Sequence, residues 1–120
     1  MPVPSTPAVD AARSAFHPSI VQEVAETVAR ERVVVVGMAW NGAVGRARAK
    51  LEELGVPHTY LEYGNYLVGW RKRLAIKLWA GWPTFPMVFV NGTFVGGNSD
   101  LRRAEKEGAL QALLQGPRPA

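Results

Sequence analysis

Cysteine is absent from all 120 residues. Its absence excludes disulfides, a thiolate nucleophile and any chain-derived sulfur ligand for zinc or an iron–sulfur cluster. Histidine is scarce, with only two residues. Neither these, Met87 nor the scattered carboxylates fall at metal-ligand spacing, so no metal site is expected. Long apolar runs are also lacking. The longest, Val33 to Trp40, is far short of the roughly 20 residues that span a bilayer, and no membrane partner is expected. The stretch Met1 to Phe16 has no basic segment leading into an apolar one, so a cytoplasmic location is expected. Charge is unbalanced but not concentrated: 14 Lys and Arg against 10 Asp and Glu give +4, with pI ≈ 9.9. The basic residues form no long run, and no nucleic-acid partner is expected. The bias toward Ala, Arg, Gly, Pro and Val matches translation from GC-rich DNA.

What is present is enough for one packed domain. Hydrophobic residues make up 48 % of the chain and aromatics 9 %, which argues against disorder and against a fibrous protein. Residues 1–17 carry Pro, Ser, Thr and Ala without periodicity and read as a disordered lead-in. From there Ile20, Val21, Val24, Ala25 and Val28 form a helical stripe with Ser19 as its N-cap. Val33 to Met38 is a β-branched run suited to a strand buried on both faces. Asn41-Gly42 opens a helix to Leu54, stopped by Gly55. Pro57 to Glu62 is a second strand, and Tyr66 to Ala80 a basic amphipathic helix. Pro86 to Val90, Asn91-Gly92 and Thr93 to Val95 have the signature of a hairpin. Asn98 or Ser99 then caps a final helix to Leu114, kinked near Gly108. Residues 18–114 are expected to form the domain and residues 115–120 a tail.

The order is α-β-α-β-α-β-β-α. Its βαβ half implies a parallel pair joined by a right-handed crossover, which the hairpin extends into a four-stranded mixed sheet flanked by helices.

At Trp82-Pro83-Thr84-Phe85-Pro86, Val88-Phe89-Val90-Asn91-Gly92 and Phe94-Val95-Gly96-Gly97 with Asp100, the chain resembles the glutaredoxin family. The Trp-Pro-Thr-Phe-Pro segment, with Arg73 and Lys77 on the helix before it, is similar to the monothiol branch. Leu51-Glu52-Glu53-Leu54-Gly55-Val56 matches the family's first crossover helix. The resemblance covers about Ile20 to Leu114 and implies a thioredoxin-like α/β fold. It also implies that the active-site motif falls on Asn41-Gly42-Ala43-Val44, with Asn41 in place of the nucleophilic Cys and Met38 in place of a Lys. An amide neither attacks a disulfide nor ligates a cluster, so thiol–disulfide exchange and iron–sulfur carriage are both excluded on chemical grounds.

The resemblance further implies what survives of a glutathione groove. The first part is a cis peptide at Phe85-Pro86, after Thr84, whose backbone edge would pair with an extended ligand. The second is the helix start at Gly97, Asn98 and Ser99, which attracts a carboxylate, with Asp100 either holding an amino group or favouring the helix dipole. The third is a basic clamp at Arg73, with Lys77 and Arg71 read as a solvated face. Asn41 reads either as a simple N-cap or as an oxyanion-type donor with the N–H groups of Ala43 and Val44. Trp40 reads as a lid or contact surface, or as rim packing.

His58, Tyr60 and Glu62 alternate onto one face of an edge strand, while Tyr63, Tyr66 and Trp70 either stack on a flat ligand or cover the core. The expected function is a redox-inactive glutaredoxin-like protein whose groove binds a small thiol ligand, a peptide segment or a partner. The alternative is an enzyme repurposed for isomerase, cyclase or lyase chemistry, with catalytic candidates Asn41, Glu62 and Tyr63. A third reading is an interaction module or homodimer docking through Trp40 and Trp82. No cofactor is expected beyond glutathione as a ligand.

Overall fold

The computed structural model describes residues 3–116. Four strands form one sheet in the order β2-β1-β3-β4. They are β1 (Val33–Gly37), β2 (Thr59–Glu62), β3 (Met87–Val90) and β4 (Thr93–Gly96). β1 pairs with β2 in parallel and with β3 antiparallel, and β3 pairs antiparallel with β4. The helices are α1 (Pro7–Ser14), α2 (Pro18–Arg30), α3 (Gly42–Glu53), α4 (Trp70–Ala80), α5 (Asn98–Lys106) and α6 (Ala109–Leu114). This is the mixed sheet that the element order implied.

The valine run explains why β1 lies inside the sheet. Successive side chains of a strand point to opposite faces. Val34 and Val36 therefore join Val24, Val28, Ile76, Met87 and Phe89 in one core layer. Val33 and Val35 join Ala47, Leu51, Val88, Leu101 and Leu110 in the other. All five residues of β1 are buried, and each fully buried valine contributes about 1.5–3 kcal/mol relative to exposure. At the hairpin, Asn91 and Gly92 have φ of 47° and 81°. Both central residues are left-handed, as a turn matched to strand twist requires.

Several boundaries differ from the sequence reading. The lead-in contains helix α1, whose start is set locally: the Thr6 hydroxyl accepts from Val9 N at 3.3 Å, and Pro7 presets φ at the first turn. None of its residues is buried, which is why no apolar stripe announced it. The next helix begins at Pro18 with His17 as its N-cap, rather than after Ser19. The basic helix begins at Trp70 and not at Tyr66, because the Asn65 side chain accepts the N–H groups of Leu67 and Val68 at 2.8 and 3.1 Å. A side chain that satisfies those donors holds the segment as a turn. The final helix is broken into α5 and α6 at Gly108, where φ is 79°. Of the expected tail, residues 117–120 lie outside the described residues.

Candidate functional site

Three chain segments meet at the C-terminal end of β1. The first is the start of α3. Asn41 is its N-cap, with Oδ1 accepting from Val44 N at 3.1 Å. Gly37 lets this helix approach the strand closely, since a Cβ there would lie 2.7 Å from Val44 Cγ1. The second is the peptide Phe85-Pro86, which is cis and enters β3 directly. The third is the start of α5, where Gly97 is the N-cap and donates its N–H to Asp100 Oδ2 at 2.9 Å. Gly96 has φ of 115°, and a Cβ there would lie 2.7 Å from the Asp100 carboxylate. Only glycine permits both that backbone and that approach. The Asn98 and Ser99 side chains do not cap this helix; Asp100 holds its N-cap instead. The first-turn N–H groups of an α-helix have no intrahelical acceptors, so this start presents donors to whatever lies in front of it.

A cleft of about 540 Å³ opens between the three segments. Asn41 and Ala43 stand on one side and Thr84, Phe85 and Pro86 form the floor. Gly97, Asn98, Ser99 and Asp100 close the other side. Met38 and Trp82 add apolar wall, and Tyr66 stands at the rim. Two polar atoms of residues in the wall, Trp82 Nε1 and Asn98 Oδ1, are buried without a hydrogen-bond partner. The cations are Arg46 and Lys77, and the Lys77 ammonium lies 5.7 Å from the Phe85 ring centroid. The lone carboxylate, Asp100, is already engaged by Gly97 N and lies 3.8 Å from Arg103. The cleft therefore combines two helix starts, two cations and an apolar wall, and helix starts and cations are features that attract anionic groups in general.

Arg73, expected as the basic clamp, is not in the cleft. It is 8 % exposed, and its Nη1 donates to Tyr63 O at 3.1 Å and Val68 O at 2.8 Å. Its guanidinium ties down the loop 64–69 from inside, where Gly64 and Gly69 leave room for it. Arg73 and Lys77 are one turn apart on α4, and packing alone decides which faces the ligand side. The sequence reading assigned Lys77 to solvent. It did not single out Arg46, although a basic residue one turn behind the helix start at Gly42 was the available signal.

Other candidates also lie elsewhere. The Tyr63 hydroxyl donates to the Glu23 carboxylate, and the side chain is buried. Burial, followed by that hydrogen bond, pushes its proton affinity well above the ordinary phenol range. Glu62 is exposed and accepts from Tyr60 Oη at 3.0 Å. The Tyr60 phenol is pushed up to about 12 by burial and by that same carboxylate, and the Arg48 guanidinium stacks 3.9 Å above its ring. β2 is indeed an edge strand. Neither Glu62 nor Tyr63 lines the cleft. Trp40 is 65 % exposed with φ of 63° and does not line the cleft. Among the described residues, no group of three or more His, Asp or Glu side chains is placed to hold a metal.

Comparison with known proteins agrees with this architecture. The glutaredoxin family model matches residues 45–95, beginning just beyond Asn41. A glutaredoxin-like protein of Dictyostelium discoideum is 46 % identical over 95 residues, covering 79 % of this chain and 77 % of its own. The chain belongs to the glutaredoxin family. A monothiol glutaredoxin of Synechocystis is 38 % identical over 65 residues, 54 % of this chain and 58 % of its own. Among solved structures, the buckwheat glutaredoxin–glutathione complex superposes with a TM-score of 0.73 at 24 % identity, covering 81 % of this chain and 88 % of that one. The likeness establishes a thioredoxin-like glutaredoxin fold. Within it, the cysteine-free sequence places an asparagine cap at the start of α3.

Proposed function

We propose that this glutaredoxin-family protein binds a γ-glutamyl thiol peptide of the glutathione type in the cleft, without thiol–disulfide exchange. The observation that carries the reading is the meeting of the Phe85-Pro86 edge with the start of α5 across one cleft. The backbone before Pro86 offers an extended ligand a strand-like edge. The N–H groups at Asn98 and Ser99 suit one carboxylate, and Arg46 and Lys77 suit the other. A relative of the same fold was solved as a glutathione complex, which supports this choice of ligand class.

The absence of cysteine defines the rest of the proposal. Asn41 supplies the α3 cap but no electron pair able to attack a disulfide sulfur. The donor set does not fit an iron–sulfur cluster either: an amide replaces the thiolate that a cluster needs from the chain. Of the candidates for the catalytic alternative, Glu62 and Tyr63 do not line the cleft; Asn41 does, but its Oδ1 accepts from Val44 N, which engages one of the donors an oxyanion site would need.

The test is a titration of isotopically labelled protein with reduced, oxidised and S-alkyl glutathione, followed by amide shifts. Saturable shifts at Phe85, Asn98, Ser99 and Lys77 are expected, with the S-alkyl derivative binding as well as the thiol because no sulfur chemistry is involved. Silence at these amides up to millimolar ligand would refute the proposal.

A further inference from the structure

Helix α4 is apolar on its outside as well as its inside. Tyr66, Leu67, Val68, Trp70, Leu74 and Leu78 are 63 %, 79 %, 58 %, 57 %, 37 % and 63 % exposed. Trp70, Leu74 and Leu78 recur every four residues and form one stripe, and the loop carrying Leu67 and Val68 runs directly into its start. Scattered exposed leucines need no explanation, but a contiguous set of this size does. The charge around it has one sign. Arg71 and Lys72 are exposed, with the Arg71 guanidinium 5.0 Å from the Trp70 ring centroid. No Asp or Glu occurs between Glu62 and Asp100. On the neighbouring helix α2, Glu23 is held by the Tyr63 hydroxyl and Glu26 by Gln22.

We propose that the β2–α4 loop and this stripe of α4 seat the protein on an anionic bilayer surface. An exposed mixture of Tyr, Trp and Leu with flanking Arg and Lys suits the interfacial region. There aromatic rings and aliphatic tips enter the headgroup boundary while cations meet anionic lipid. A second copy of the chain fits this face poorly. Isologous docking would bring the Arg71 and Lys72 of both protomers into one interface, and this face carries no free acid to pair them. A bilayer also demands no shape complement from a loop crown whose leucine is 79 % exposed. Among the described residues no helix is long and apolar enough to cross a membrane, and seating in the interface requires none. Tyr66 belongs both to this face and to the rim of the cleft, so the seated protein would hold the cleft mouth next to the lipid headgroups.

The experiment is sedimentation of the full chain with phosphatidylcholine vesicles, with and without phosphatidylglycerol, together with tryptophan emission. Binding to the phosphatidylglycerol vesicles alone is expected, with weakening by salt and a blue shift in emission that Trp70→Phe reduces, the other three tryptophans being left in place. Leu67→Ser/Val68→Ser and Arg71→Glu/Lys72→Glu are confined to exposed side chains outside the cleft. Each pair is expected to lower partitioning by about tenfold or more while leaving the circular dichroism spectrum unchanged. The proposal is overturned by absence of partitioning, by equal partitioning onto neutral vesicles, or by indifference to both pairs. Self-association that these substitutions abolish would assign the face to a second copy. Retention on immobilised polyglutamate without vesicle binding would assign it to an acidic protein. Either result also overturns the bilayer reading.

Discussion

Replacing Arg73 by Met separates a structural cation from a ligand-binding one. Arg73 is 8 % exposed and has no acidic partner among the described residues. Both of its hydrogen bonds run from Nη1 to main-chain carbonyls, those of Tyr63 and Val68. A hydrogen bond from a charged donor is worth about 1.5–3 kcal/mol. Against the loss of two stands the relief of desolvating an unpaired guanidinium, which is several kcal/mol in itself. Val68 O keeps a bond from Asn65 N at 3.0 Å, whereas the other carbonyl loses the Arg73 donor. Methionine refills most of the aliphatic volume, so no large cavity forms. Set against each other, about 3–6 kcal/mol for the two bonds and about 3 kcal/mol of desolvation relief leave a net cost of up to about 3 kcal/mol for Arg73→Met, still a sizeable part of the roughly 5–15 kcal/mol available to a domain. Urea unfolding should show it as a lower midpoint at unchanged slope. Glutathione affinity, measured where the variant is folded, should stay within about twofold. Lys77→Met should do the reverse, with stability within about 0.5 kcal/mol and affinity down about tenfold, since 1.4 kcal/mol is one decade. An Arg73→Met variant of full stability that loses ligand would refute this division of labour.

Three further outcomes are expected. Asn41→Ala should cost about 1 kcal/mol through loss of the α3 cap, while Asn41→Cys should place a thiol at a helix start with a pKa below the usual ~8.5; alkylation rate against pH reads this, and an unshifted thiol would contradict the electrostatics assigned to that end of the cleft. Asp100→Ala should destabilise by about 1 kcal/mol by freeing Gly97 N–H, and Gly96→Ala should destabilise through its left-handed backbone, both measured by denaturation. The raised phenols of Tyr60 and Tyr63 mean that the unfolded chain releases these protons first. Their contribution to stability is therefore complete below pH 10; that of Tyr60 is lost as pH rises through about 12, and that of Tyr63 only at still higher pH. Absorbance at the phenolate band near pH 11 should be weaker in native protein than in urea, and equal values would contradict the burial assigned to these rings.

Local chemistry marked most of the elements. A run of four valines needs two apolar faces, Asn91-Gly92 supplies the left-handed pair a hairpin demands, and Gly55 and Gly81 end helices wherever those helices pack. The family segments around Trp82 to Asp100 likewise carried the cis bond, which the structure contains. Two kinds of position escaped. Helix α1 and the turn at Asn65 depend on single side-chain caps, which leave no periodic trace. The apolar outer face of α4 blurred the helix pattern that would have shown which residues point inward.

The absence of cysteine, the β-branched strand and the asparagine at the start of α3 were properties of the sequence alone, because each follows from side-chain chemistry at one position or over one short run. Which cation serves the cleft was not. Arg73 and Lys77 are separated by a single turn with the same charge, and only the packing of α4 against the sheet and α2 sends one inward to main-chain carbonyls and the other to the Phe85 ring. Arg46 enters the same cleft from α3, and Tyr63 leaves it for Glu23, for the same reason. A side chain's direction is set by the element that carries it, and that element's orientation is settled by contacts far away in sequence.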